Sequence, residues 1–144
     1  MATHKDICEA DYQALAEFRY HIRRFMHYSE QVARGAGIEP QQHQALLAIK
    51  GMPTGKKATI GELAERLQLQ HHSTVELVDR LFERGLIERR RDEEDQRRVL
   101  VSLTTHGEET LEQLSTFTLA ELRSTAPTLV KTLELLIIEK QADA

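Results

Sequence analysis

Apolar positions recur along the chain first with a helical period, then briefly with an extended one, then helically again. Between Asp11 and Arg34, Leu15, Phe18, Ile22, Phe25 and Met26 fall three or four residues apart, on one face of a long helix. Tyr12 and Cys8 extend that stripe backwards, and Gly35 and Gly37 end it. A second, mostly buried helix opens at Pro40, whose fixed φ suits a first helical position, and carries Leu46, Leu47 and Ile49 towards Gly51. The glycines and proline between Gly51 and Lys57 mark a loop.

Thr59-Ile60-Gly61-Glu62 has the spacing of a capping box, and Ile60, Leu63, Ala64 and Leu67 follow at helical intervals. A short turn, Gln68-Leu69-Gln70, leads into a helix with the apolar set Thr74, Leu77, Val78, Leu81 and Phe82. Two short helices joined by a tight turn predict a helix-turn-helix. After Gly85 the period changes. Leu86 to Arg91 and Val99 to Leu103 are β-prone at their apolar ends and flank the polar run Asp92 to Arg98, which predicts a hairpin with a charged tip. A second capping box, Thr105-His106-Gly107-Glu108, starts a helix bearing Leu111, Leu114, Phe117 and Leu122. Pro127 is expected to restart the chain before a last amphipathic helix from Leu129 to Ile137.

The expected fold is therefore mainly α with a small β-hairpin, in a single domain over residues 1–144. A winged helix-turn-helix lobe at about 38–104 is flanked by terminal helices at about 7–35 and 105–140. Length and composition agree: 144 residues suit one compact unit, and 7 Gly and 3 Pro are too few for a loop-rich or all-β chain. The polar start and the lack of any apolar run of about 20 residues predict neither signal peptide nor membrane span, hence a cytoplasmic protein. Cys8, the single cysteine, offers no internal disulfide, as in a reducing compartment.

The net charge of −4 argues against nucleic acid until its distribution is read. Arg80, Arg84, Arg89, Arg90, Arg91, Arg97 and Arg98 crowd one stretch, and arginine has the planar fork that suits phosphate and guanine edges. Glu83, Glu88, Asp92, Glu93, Glu94 and Asp95 share the stretch, so composition alone equally describes a self-paired, solvated surface. The order of elements favours DNA. A recognition helix presents its first residues to base edges, which nominates Gln70, His71, His72, Ser73, Val75 and Glu76, with Arg80 a turn further on for a phosphate. On the hairpin tip, Arg97 is the candidate for a narrow minor groove, and Arg98 adjoins it. Asp95 is placed to hold a guanidinium and shape the tip.

These segments also resemble a family. Gly61-Glu62-Leu63-Ala64-Glu65-Arg66-Leu67, Val78-Asp79-Arg80-Leu81 with Gly85-Leu86-Ile87, and Asp95-Gln96-Arg97-Arg98 with Leu103-Thr104 and Gly107 resemble the central signature of the multiple-antibiotic-resistance regulator (MarR) family. The resemblance implies a winged-helix homodimer on double-stranded, roughly palindromic operator DNA, usually a repressor released by a small ligand or by oxidation. Asp95 and Arg97 match the family's Asp-x-Arg wing motif, and His71 to Glu76 match the start of its recognition helix. His71, His72 and Glu76 depart from the Ser, Thr or Arg common there, so the operator sequence does not carry over. Glu76 has the chemistry to accept from a cytosine amino group.

The terminal apolar stripes exceed what one core of this size requires, and the resemblance implies that they interlock between subunits. For an effector, Arg19, Tyr20, His21 and His43 are the candidate polar groups of an otherwise apolar pocket, although a helix histidine is more often a structural group. Cys8 has only Lys5 as a basic neighbour and precedes Pro40 by a longer stretch than in peroxide-sensing members, so peroxide sensing is not expected. No His or Cys pair has the spacing of a metal clamp, no cofactor motif occurs, and Asp92 to Asp95, expected to alternate in water at the tip, do not suggest an enzyme. The alternative to a DNA reader is a winged-helix module that binds only protein.

Overall fold

The computed structural model describes residues 6–142, with side chains through Ile137. The first five residues of the polar start therefore lie outside what is described. The elements are α1 (Glu9–Gly35), α2 (Pro40–Lys50), α3 (Ile60–Leu67), α4 (His71–Glu83), β1 (Ile87–Arg91), β2 (Val99–Leu103) and α5 (Thr105–Ala142). They fall into two compact units, one of residues 32–116 and one of the described residues up to Gln31 and from Phe117 onward.

The first unit is built on side chains from every one of its elements. Leu46, Leu63, Leu81, Leu86, Ile87 and Leu114 are each at most 1–2% exposed and pack with Ile38, Ile49, Leu77, Val78, Val101 and Leu111. Removing such side chains from water is what holds short helices together, since eight or thirteen residues are marginal as isolated helices. Local signals fix the boundaries. Gln42 reaches back to accept from the Glu39 N–H at 3.3 Å ahead of Pro40, and Thr59 Oγ1 accepts from the Glu62 N–H at 3.1 Å to start α3. Gly85, at φ +70°, turns the chain from α4 into the hairpin.

The hairpin is antiparallel, with Ile87 opposite Leu103, Arg89 opposite Val101 and Arg91 opposite Val99. A third segment borders it: the Val101 N–H donates to Ala58 O at 3.0 Å, attaching the loop before α3 to β2. The start of α5 is one residue earlier than its sequence suggests. Thr104, not Thr105, is the cap, accepting from the Gly107 N–H at 3.0 Å and donating its hydroxyl to Gly85 O at 2.7 Å. That first turn lies so close to the hairpin that a Cβ on Gly107 would stand 2.0 Å from Leu86 O.

Two further expectations are corrected. Phe82, assigned to the buried set of α4, is 47% exposed, because Leu81 already occupies the core and the next residue turns outward. Pro127 does not restart the chain but lies inside α5. It is exposed, so the helical carbonyl its missing N–H leaves unpaired can be served by water, and the Thr125 hydroxyl two residues earlier donates to Glu121 O at 3.1 Å.

In the second unit, the α1 stripe proves broader than the face it buries. Phe18, Ile22 and Phe25 are partly buried, while Tyr12, Leu15 and Met26 are 56%, 48% and 55% exposed. Along α5, Phe117, Val130, Leu135 and Ile137 are each more than half exposed. No helix among the described residues is long and apolar enough to cross a membrane.

Candidate nucleic-acid interface

The turn between α3 and α4 works without glycine because Gln68 itself takes the left-handed conformation, φ 54°, while its Nε2 donates to Glu65 O at 2.7 Å. The Leu69 N–H then closes on Ala64 O at 3.0 Å. With Thr74, Leu77, Val78 and Leu81 buried, α4 has one face left for solvent. Gln70, His71, His72, Glu76 and Arg80 are exposed on it, and Ser73 and Val75 partly so. The predicted face and the exposed face coincide.

Braces hold that helix to its surroundings. Arg89 Nη1 on β1 meets Asp79 Oδ1 at 2.6 Å while its guanidinium lies 4.2 Å from the Phe82 ring centroid, which gives the exposed phenyl ring a partner. Arg84 donates to Gln42 Oε1 and to Gly37 O, each at 2.9 Å, tying the end of α4 to the start of α2. Arg80 stands 3.7 Å from the Glu39 carboxylate, a loose pair in water that leaves the guanidinium 56% exposed.

The tip of the hairpin is organised by two aspartates. Asp95 accepts from the Arg97 N–H at 3.1 Å and from Arg97 Nε and Nη2 at 3.0 and 3.1 Å, as its spacing predicted. These bonds hold the Asp95 carboxyl below the usual carboxylate range. Arg97 is nonetheless 90% exposed, so its guanidinium is oriented and still open to a ligand.

Asp92, expected in water with its neighbours, is instead 2% exposed. It accepts from the Glu94 N–H at 3.0 Å, from Lys57 Nζ at 3.1 Å to both oxygens, and from Arg98 Nη2 at 3.0 Å. The Glu94 N–H foremost, then Lys57, pulls its pKa down. Sequence reasoning missed both Asp92 and Lys57: they are 35 positions apart, and nothing local marks them as partners. Arg98, nominated for DNA, faces Asp92 and lies 3.8 Å from Asp95, with 47% of its side chain exposed.

The effector candidates are divided between the units. On α1, Arg19 and Tyr20 are exposed and His21 lies 3.4 Å from Glu17. On α2, His43 is 2% exposed with neither ring nitrogen hydrogen-bonded, and burial pushes its pKa down. Cys8 is exposed and its thiol donates to Asp11 at 3.4 Å, so its partner is a carboxylate rather than a cation. Among the described residues no group of His, Cys, Asp and Glu is placed to hold a metal.

Residues 36–98, which run from the end of α1 to the last residue of the wing tip, match the profile of the MarR family. This segment is a MarR-family domain. The chain as a whole shares its winged-helix fold with solved members. A mutant MarR of Escherichia coli in complex with operator DNA is 23% identical, with a TM-score of 0.67, over 94% of this chain and 98% of that one. A probable transcriptional regulator from Pseudomonas aeruginosa is 28% identical with a TM-score of 0.59, over 83% of this chain and 93% of that one. An organic hydroperoxide resistance transcriptional regulator of Bacillus subtilis is 41% identical over 49 residues, a stretch that spans 34% of this chain and 33% of that protein. The fold class, mainly α with one β-hairpin in a winged helix-turn-helix, is the one the sequence predicted, with five helices where Pro127 had been expected to start a sixth.

Proposed function

We propose that this chain is a sequence-specific DNA-binding transcriptional regulator that acts as a homodimer on operator duplex, as a repressor released by a small aromatic or phenolic effector. The observation that carries the reading is the wing tip. Arg97 is 90% exposed yet fixed by three bonds to Asp95, on the same compact unit as the open amino-terminal face of α4. A pre-set cation and a solvent-facing helix start on one unit are what simultaneous minor- and major-groove contact requires. In this reading Gln70, His71, His72, Ser73, Val75 and Glu76 meet base edges, Arg80 meets a phosphate and Arg97 the minor groove. Arg98 acts from beneath the tip. The solved operator complex of the Escherichia coli relative supports the reading by its fold.

Homodimerisation is supported by where apolar side chains lie bare. Apart from Leu47 and Phe82, the large exposed apolar residues among those described belong to the unit containing most of α1 and the distal part of α5. Apolar surface so concentrated marks an association site. Two copies also supply the two recognition helices that a palindrome needs.

A protein-only docking module is the second reading, favoured by the carboxylate partners of Arg80, Arg89 and Arg98. Titration of duplexes from around the gene, at several salt concentrations, separates the two. A DNA reader loses affinity steeply with salt, by about one logarithmic unit of slope per phosphate contact. Binding that ignores both sequence and salt refutes the regulator. Arg97→Ala is expected to cost about 1–3 kcal/mol of operator affinity.

A further inference from the structure

We infer that Lys57, in the loop before α3, is a positioning residue for operator binding: it seats the wing tip through Asp92 and so sets where Arg97 points. The inference rests on the regulator reading above.

The loop meets the hairpin at three residues, one on β2 and two on the tip. Val101 N–H donates to Ala58 O, and Lys57 Nζ spans both oxygens of Asp92 at 3.1 Å and Glu94 Oε2 at 2.7 Å. Asp92 is at the same time the first residue of the tip, and its own N–H donates to Arg98 O at 3.0 Å across the hairpin. A carboxylate only 2% exposed requires cationic or N–H donors, and leaving it with fewer is costly. The tip therefore has one low-energy arrangement while Lys57 is present, with the Glu94 N–H and Arg98 supplying the remaining bonds. Arg97 follows from that arrangement. It lies between Asp95, which holds its side chain, and Arg98, whose guanidinium reaches back to Asp92.

Lys57 is not free to serve as a phosphate contact while it holds Asp92 and Glu94, and both bonds raise its pKa. Two residues further on, Thr59 caps α3, so the same short segment fixes the start of the helix-turn-helix and the seat of the wing. A loop lysine thereby links the two DNA-facing parts of the domain.

The test is a double-mutant cycle on operator affinity with Lys57→Met, Arg97→Ala and the pair, with salt slopes and melting curves for each protein. Lys56→Met removes the same charge from an exposed neighbour, and Lys57→Arg restores a cation. The expected result is a loss of roughly tenfold for Lys57→Met, much less than that when Arg97 is already alanine, near-normal binding for Lys57→Arg, and little effect of Lys56→Met. Full additivity with Arg97→Ala, or equal losses from Lys56→Met and Lys57→Met, overturns the inference and makes Lys57 a plain source of positive charge. Unchanged binding by Lys57→Met also overturns it. Should Arg97→Ala itself bind like the wild type, the regulator reading of the wing fails first, and the cycle shows that separately. Lys57→Arg guards against misfolding, since a variant that folds and melts normally must still bind as stated.

Discussion

Replacing Gly107 by alanine tests the tightest glycine site among those described. The added Cβ would lie 2.0 Å from Leu86 O, 3.0 Å from Leu86 C and 3.4 Å from Leu103 Cβ. Ordinary carbon–oxygen contact needs more than an ångström beyond the first of these, and the obstacle is backbone, which no rotamer change relieves. Overpacking of this kind costs about 1–3 kcal/mol and more when backbone must move. The shift also pulls on the bond from the Thr104 N–H to Leu86 O, 3.1 Å long, worth about 1 kcal/mol. Alanine's better helix propensity offsets about 1 kcal/mol. The net loss is about 1–3 kcal/mol, which for a chain of this size lowers Tm by roughly 3–10 °C. Thermal melts followed by circular dichroism at one fixed protein concentration measure it, since association would otherwise shift Tm. A variant that melts at or above the wild-type temperature would show that α5 does not press on Leu86 and refute the packing argument.

The other expectations are briefer. Acidification below the ordinary histidine pKa of 6.5 should lower stability through His43, because the unfolded chain takes up a proton that the buried ring refuses; His43→Leu should flatten the Tm-against-pH curve there, and an unchanged slope would absolve the residue. Asp92 and Asp95, both depressed, add stability that is present above the ordinary value of 3.8 and disappears as pH falls through their lower folded values, so Asp92→Asn should reduce the acid sensitivity of the fold in denaturant titrations. Leu81→Ala, at a fully buried site, should cost about 2–5 kcal/mol in chemical denaturation. Val130→Glu with Ile137→Glu, both on bare apolar positions of α5, should convert a dimer to a monomer in sedimentation velocity, and an unaltered sedimentation coefficient would place the interface elsewhere.

Much of the fold was written in local chemistry. Pro40, Thr59 and Gly85 each impose a backbone geometry at one place, so the bounds of α2, α3 and α4 could be read directly. Adjacent threonines are different: Thr104 and Thr105 are equivalent as sequence, and only the reach of Thr104 to Gly85 O selects between them. Pro127 breaks a helix in isolation, yet the helical turns on either side of it outweigh one lost bond. At the site, Asp95 and Arg97 could be paired because they are two residues apart, and the open face of α4 follows from its buried one. The seat of the wing could not be read in the same way. It joins Lys57 to Asp92 across a whole helix-turn-helix, and a lysine in a glycine-containing loop carries no sign of such a partner.

The shared hold on Asp92 has a consequence for how such domains can be altered. Because the carboxylate draws one cation from the loop ahead of α3 and another from the tip itself, residues 92–98 are not a separable cassette. A wing transplanted without the lysine would arrive with a buried anion short of a partner, whereas the exposed positions of α4 take no part in that balance. On the proposed reading, His71, His72 and Glu76 are free to change sequence preference without moving Arg97, whereas loop and wing must change together or not at all.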